Sequence, residues 1–237
     1  MINLRFNILF LLLTACSLKN SAELSVSKII TPEKISFSSI SNALESKTAP
    51  VFIDQINWKE YDYKPEVSFR VGYAKQILYL KFYVSEKHIL AKHSSPNSPT
   101  HRDSCIEFFI DPDQSGAYYN FEFNCIGTTH LAYGPNRQQR SFIPPQLILE
   151  NLFISSSLGN EPFEEKSGDF QWEMVVAIPA QLFIHHPDLR FEKLVSKANF
   201  YKCADATKQP HYISWNTVKS PKPDFHRPEF FGTLVFD

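Results

Sequence analysis

The stretch Cys105-Ile106-Glu107-Phe108-Phe109-Ile110-Asp111, followed after a short gap by Tyr119-Asn120-Phe121-Glu122-Phe123-Asn124-Cys125, decides how this chain folds. In 105–110 the residues Ile106, Phe108 and Ile110 alternate with Cys105, Glu107 and Phe109. In 119–125 Phe121, Phe123 and Cys125 alternate with Glu122 and Asn124. Period-2 alternation of this kind marks strands with one face turned to a core. The link Asp111-Pro112-Asp113-Gln114-Ser115-Gly116 is dense in turn formers, so the two strands are expected to pair as a hairpin. Pairing would put Glu107, Glu122 and Asn124 together on the face opposite the core.

Working outward, 77–84 alternates Leu78, Leu80, Phe82 and Val84 against Tyr79, Lys81 and Tyr83. In 170–178, Phe170, Trp172, Met174, Val176 and Ile178 share one side before Pro179, and Ala180 to Ile184 reads as a helical turn. Further strands are expected at 147–157, 198–203, 211–216 and 231–236, with one short helix at 36–46. Many short strands separated by turn signals indicate an all-β sandwich or barrel. The content of 21 Phe and 10 Tyr fits this, since rings suit pleated, half-buried surfaces. A formal net charge of −1 on 237 residues argues against a broad polyanion-binding surface, so no nucleic-acid partner is expected.

The N-terminus reads as an export signal: Arg5, then the apolar run Ile8 to Leu13, then Leu13-Thr14-Ala15-Cys16. The run is too short to span a bilayer. The small residues before Cys16 match a lipobox, giving a signal peptide at 1–16 with Cys16 lipidated, a flexible tether at 17–31 and one domain at 32–237. The alternative is a plain secretory signal cut near Ser21-Ala22. Either way the chain is expected to be exported, to the periplasm or outer membrane as a lipoprotein or into the medium. It would touch membrane only through the lipid and act as a monomer. Cys105, Cys125 and Cys203 then remain, allowing one disulfide from three pairings.

Several chemistries can be weighed. Glu107 and Glu122 could serve sugar hydroxyls, which donate and accept at once, or form a solvated outer face. Two carboxylates could also hydrolyse glycosidic bonds if they flank one. The eight histidines, including the adjacent His185-His186 read as part of a strand, show no H-x-x-x-H or H-E-x-x-H spacing. Asp111-Pro112-Asp113 could hold calcium or simply turn the chain. Near the C-terminus, Pro221, Pro223 and Pro228 stiffen a loop presenting Phe225, His226 and Arg227. An aromatic ring on a stiff loop can stack on a pyranose at low entropic cost, or plug the end of the core.

Asp103 to Asp111, Tyr118 to Asn124, Asn199-Phe200-Tyr201-Lys202-Cys203, Ile213-Ser214-Trp215 and Pro223 to Gly232, in that order, resemble the family 9 carbohydrate-binding modules from about Val51 to Asp237. The resemblance implies a two-sheet antiparallel β-sandwich, CBM9/DOMON-like, with one or two short helices, holding sugar between two rings with calcium as structural support. It places the first ring position at His101 and the second at Phe225. Polar ligand contacts fall at Glu107, Glu122 and Tyr201, with His226 and Arg227 beside Phe225. No metal ligands are assigned by it. The function implied is non-catalytic carbohydrate binding in support of polysaccharide capture and breakdown, with no cofactor required. The alternatives are a glycan hydrolase using Glu107 and Glu122, a haem-carrying electron-transfer sandwich, whose axial ligation would use His or Met although Met174, the only Met after signal removal, reads as core, and an envelope interaction domain with no sugar ligand.

Overall fold

A computed structural model describes residues 21–237, so Arg5, the Ile8 to Leu13 run and Cys16 lie outside the described residues. The fold is mostly β, with β1 Glu23–Lys28, β2 Val51–Phe52, β3 Gln55–Ile56, β4 Glu66–Ala74, β5 Ile77–Ala91, β6 Cys105–Asp111 and β7 Tyr118–Asn124. β8 Thr129–Gly134, β9 Ser141–Phe142, β10 Phe153–Ser156, β11 Phe163–Pro179, β12 Val195–Cys203, β13 Tyr212–Ser214 and β14 Gly232–Phe236 complete the strands. Two helices, α1 Phe37–Glu45 and α2 Pro145–Asn151, accompany them.

One layer runs β10-β11-β5-β4 and the other β14-β12-β6-β7-β8-β9. Their inner faces build one core that includes Phe69, Phe82, Val84, Ile106, Phe108, Phe121, Phe123, Trp172, Met174 and Phe200. Phe69 and Phe200 stack across it at 3.7 Å between ring centroids. Met174 is wholly buried there.

The two layers are not separate antiparallel sheets, as the sequence suggested, but one curled sheet joined through β1. β1 pairs in parallel with β14 (Leu24 opposite Leu234) and, at its other end, with β4 (Ser27 opposite Gly72). The tether expected at 17–31 therefore contains a strand of the fold. Its polar residues read as linker because only Val26 in β1 is fully inward. Gly232 marks how closely the segments approach, since a Cβ there would meet the Ala22 carbonyl at 2.7 Å.

The hairpin forms as expected, β6 against β7, with Glu107 directly opposite Glu122. Its turn closes when both Asp111 carboxylate oxygens accept backbone N–H groups, Oδ1 from Ser115 at 3.1 Å and Oδ2 from Gly116 at 2.8 Å. Gly116 sits at φ 90°, a left-handed conformation that suits glycine. The helix expected at 36–46 is α1, capped by Ser36, whose hydroxyl accepts from Ser39 N.

Two expectations need correction. The first part of 147–157 is helical, because Pro145 stands in the first turn, where its fixed φ favours a helix start, and only Phe153–Ser156 is a strand. His185 and His186 follow a 3-10 turn, Ala180–Leu182, and lie in no strand. They pack instead: His185 stacks on Tyr133 at 4.4 Å, and His186 Nδ1 meets the Tyr119 hydroxyl at 3.1 Å.

Candidate functional site

Alternation sends Cys105, Glu107 and Phe109 of β6, and Tyr118, Asn120, Glu122 and Asn124 of β7, to the face away from the core. That face is not solvated. The prolyl loop between β13 and β14 folds over it and builds a second cluster of Phe109, Tyr118, Tyr201, Phe225 and Phe231. Glu107 and Glu122 are each only 3% exposed. They line a polar recess of about 100 Å³ with His101, Arg137, Arg140, Asp205, Tyr212, Asp224, Phe225 and His226. A wider groove of about 450 Å³, lined among others by Phe52, Tyr83 and Gln171, lies on the other layer, away from these groups. The smaller recess is the stronger candidate because it alone of the two gathers opposed charges with shifted protonation.

The two carboxylates have different surroundings. Glu122 accepts from Thr100 Oγ1 at 3.2 Å and from Asn120 Nδ2 at 2.9 Å. His101 Nδ1, Arg140 Nη1 and His130 Nε2 stand 3.6, 3.8 and 3.9 Å from its oxygens. Burial opposes ionisation, but these groups outweigh it and hold Glu122 well below the usual carboxylate range. Burial pushes the His130 imidazole downward, whereas the Glu122 carboxylate raises that of His101. Glu107 has no cation of its own, only the Cys203 thiol donating at 3.0 Å. Burial, reinforced by the Glu122 charge, raises Glu107 to about 8. At neutral pH the pair is therefore one carboxylic acid that donates beside one carboxylate that accepts.

The loops supply the rest. Thr100 and His101 come from a 3-10 turn, Thr100–Arg102, that precedes β6. Arg137 and Arg140 come from the turn after β8, and Arg137 Nη2 reaches Asp224 Oδ1 at 3.2 Å across the recess. Burial holds His226 neutral, at about 3. Its Nε2 accepts from Arg140 Nη1 at 3.2 Å, and its Nδ1 therefore donates to the Tyr118 hydroxyl at 2.7 Å.

Five of the seven positions expected from the sequence to bind ligand line this one recess: His101, Glu107, Glu122, Phe225 and His226. Tyr201 is fully buried beneath Phe225, with ring centroids 4.1 Å apart and its hydroxyl donating to the Phe225 carbonyl. It supports the wall and offers no surface to a ligand. Arg227 turns away, paired with Glu229 at 2.6 Å and lying over the Phe230 ring. The slot between two free rings is also corrected, since one face of Phe225 is taken by Tyr201, whereas the His101 side chain is 39% exposed. Asn124 is committed to the fold, donating to His93 O and Asp103 Oδ2.

Sequence reasoning missed Arg137, Arg140, Asp205 and Tyr212. The signal for the arginines was present: Gly134-Pro135-Asn136-Arg137-Gln138-Gln139-Arg140 is a turn carrying two cations between short strands.

The Asp111-Pro112-Asp113 turn does not fit a calcium ion. The Asp111 oxygens are engaged by turn amides. Among the described residues the one compact cluster of potential ligands is Cys105, Glu107 and Cys203, two of them soft sulfur donors. Nor does the carboxylate pair suit glycoside hydrolysis. Directly opposed on adjacent strands, both side chains approach from one wall, whereas the reaction needs them flanking the bond. Met174 lies in the inter-layer core, far from a position to ligate haem.

The profile of carbohydrate-binding family 9 matches residues 38–236. A candidate carbohydrate-binding protein from Bacteroides uniformis is 36% identical, its structure aligning with TM-score 0.88 over 92% of this chain and 100% of its own. A family 9 module from Caldicellulosiruptor kristjanssonii in complex with glucose aligns with TM-score 0.56 at 10% identity over 91% of this chain and 96% of its own. The same organism's family 9 module in complex with cellotriose aligns with TM-score 0.55 at 11% identity, over 91% and 93%. No curated protein matches the chain. With nearly all of its described residues inside the matched segment, the chain belongs to carbohydrate-binding family 9.

Proposed function

We propose that this protein is a non-catalytic carbohydrate-binding module that grips the hydroxyl edge of a pyranose in the recess of Glu107 and Glu122. The observation that carries the reading is the convergence of two buried carboxylates, directly opposed on β6 and β7, with His101 and Arg140 on one recess. A sugar hydroxyl can accept from protonated Glu107 while another donates to ionised Glu122, and His101 and Arg140 add donors at the rim. A recess of about 100 Å³ is too small to enclose a sugar ring, so the ring rests at the mouth with His101 available to stack. Chain ends, which present a free hydroxyl edge, suit such a site better than chain interiors.

Isothermal titration with glucose and short β-glucans, the ligand class bound by the Caldicellulosiruptor modules, tests this. Saturable binding lost in Glu122→Ala supports it. Binding unchanged by that substitution would place the sugar elsewhere. No product should be released from the same glycans on prolonged incubation.

The reading extends to an exported monomer, lipid-anchored at Cys16, that retains polysaccharide near the cell while partner enzymes cut it. Incorporation of labelled palmitate, abolished in Cys16→Ala, checks the anchor, and light scattering checks the monomer.

A further inference from the structure

Cys105 opens β6 and Cys203 closes β12, and the register of these antiparallel strands sets the two residues directly opposite each other. Opposed residues in such a ladder have Cα atoms about 4.5–5.5 Å apart, inside the window of about 4.4–6.8 Å that a disulfide accepts. Both side chains leave the strands on the same face, packing with Phe109, Tyr201 and Phe225. Their sulfurs and a Glu107 carboxylate oxygen all lie within 4.8 Å of one another. Cys125 is set apart, buried in the inter-layer core with its sulfur toward the Leu90 carbonyl at 3.5 Å. Of the three pairings open to the sequence, the register leaves one.

We propose that Cys105 and Cys203 join as a cross-strand disulfide beneath the recess when the chain folds in an oxidising medium. The oxidant is a disulfide, either a small one such as oxidised glutathione or that of a thiol oxidoreductase. One cysteine thiolate attacks it, forming a mixed disulfide and releasing the first thiol. The other cysteine thiolate then attacks the mixed disulfide at the cysteine sulfur, forming the Cys105–Cys203 bond and releasing the second thiol. The oxidant takes the two electrons, and the two cysteine protons end on its thiols.

Timing follows from burial. In the folded protein both thiols are at most 1% exposed, and burial pushes Cys105 to about 12 and Cys203 upward too, so neither is an attacking thiolate. The bond forms before β12 and the prolyl loop close over it, and after closure reductants reach it only through unfolding. It also acts on the recess. The Cys203 thiol that donates to Glu107 favours the charged carboxylate, and oxidation removes that proton. Glu107 then holds its own proton more firmly.

The Cys16→Ser chain is denatured, reduced, refolded in a glutathione redox buffer, denatured again with iodoacetamide and chelator, and read by mass spectrometry. The expected result is one alkylated cysteine, Cys125, with a Cys105–Cys203 linked peptide. Dithiothreitol during refolding should lower the thermal midpoint by about 10 °C. Cys125→Ala should keep the link. Three alkylated cysteines, or any link that includes Cys125, overturn the proposal. Cys105, Cys125 and Cys203 are unchanged in the main readout, so a Cys125→Ala chain that fails to fold does not obscure it. Sugar binding plays no part in it either.

Discussion

Two buried acidic sites in this molecule have opposite designs. On β5, Glu86 faces inward between the layers and meets Lys202 of β12 at 2.8 Å, both side chains fully buried. Trp172 Nε1 donates to its other oxygen at 2.8 Å, and Lys202 also donates to the Cys203 carbonyl at 2.9 Å and His211 Nε2 at 2.8 Å. His211, held neutral by burial and by Lys202, donates its Nδ1 proton to the Gln209 carbonyl. Charge and hydrogen bonds are consumed within the protein. On the outer face of the second layer, Glu107 and Glu122 sit side by side, and burial with the Glu122 charge raises Glu107 to about 8. The first arrangement ties two sheets together. The second keeps unspent hydrogen-bonding capacity beside an opening, which is where a ligand can be recognised.

The comparison can be broken first at the closed site. Lys202→Met leaves Glu86 buried without its partner and should cost about 3–5 kcal/mol in urea unfolding, while adding Glu86→Leu should recover much of the loss. A Lys202→Met protein as stable as the parent would contradict the clamp. At the open site the effect should appear in binding. Glu122→Gln should weaken sugar affinity about tenfold by titration calorimetry and also lower stability, because the ionised carboxylate supports the fold, whereas Glu107→Gln, which mimics the protonated acid, should change affinity by less than about threefold. Equal losses in both would dissolve the division of roles.

The pH dependence sharpens the contrast. Glu107 is raised from 4.5 to about 8 in the fold, so between those values the native chain holds a proton that the unfolded chain has released. Its contribution to stability therefore falls as pH rises from about 4.5 to 8 and is level above. Glu122, whose pKa is lowered, works the other way: its contribution is present above 4.5 and lost as pH falls below it. The Glu107→Gln variant should flatten the alkaline-going loss, measured as the thermal midpoint across that range. The smallest effect belongs to Arg227→Ala, whose ion pair lies at the surface outside the recess. A change within about 0.5 kcal/mol in stability and about twofold in affinity is expected.

How much of this could be read beforehand follows the range of the forces. The β6–β7 hairpin was legible because alternation and turn chemistry are local, and so was the shared face of Glu107 and Glu122. Their burial was not, since it depends on a loop more than ninety residues later folding over that face. β5 reads as ending near Val84 because Glu86 interrupts the apolar alternation, yet it runs to Ala91 with Glu86 matched by distant Lys202. Tyr201 reads as a polar ligand contact through the resemblance, but the stacking on Phe225 that makes it a support is a property of packing. β1 escaped notice because a polar strand between two neighbours needs few apolar residues.

That strand sets an order of events. β1 lies in parallel beside β14, and Lys28 N meets Asp237 Oδ2 at 3.3 Å although the two residues are 209 positions apart in sequence. The seam joining the two layers thus cannot be sewn while a ribosome is still making β14. Folding dominated by such distant partners is slow, and early segments wait with their sheet edges unpaired. A protein built this way stays pliable until β14 has emerged, and only then locks.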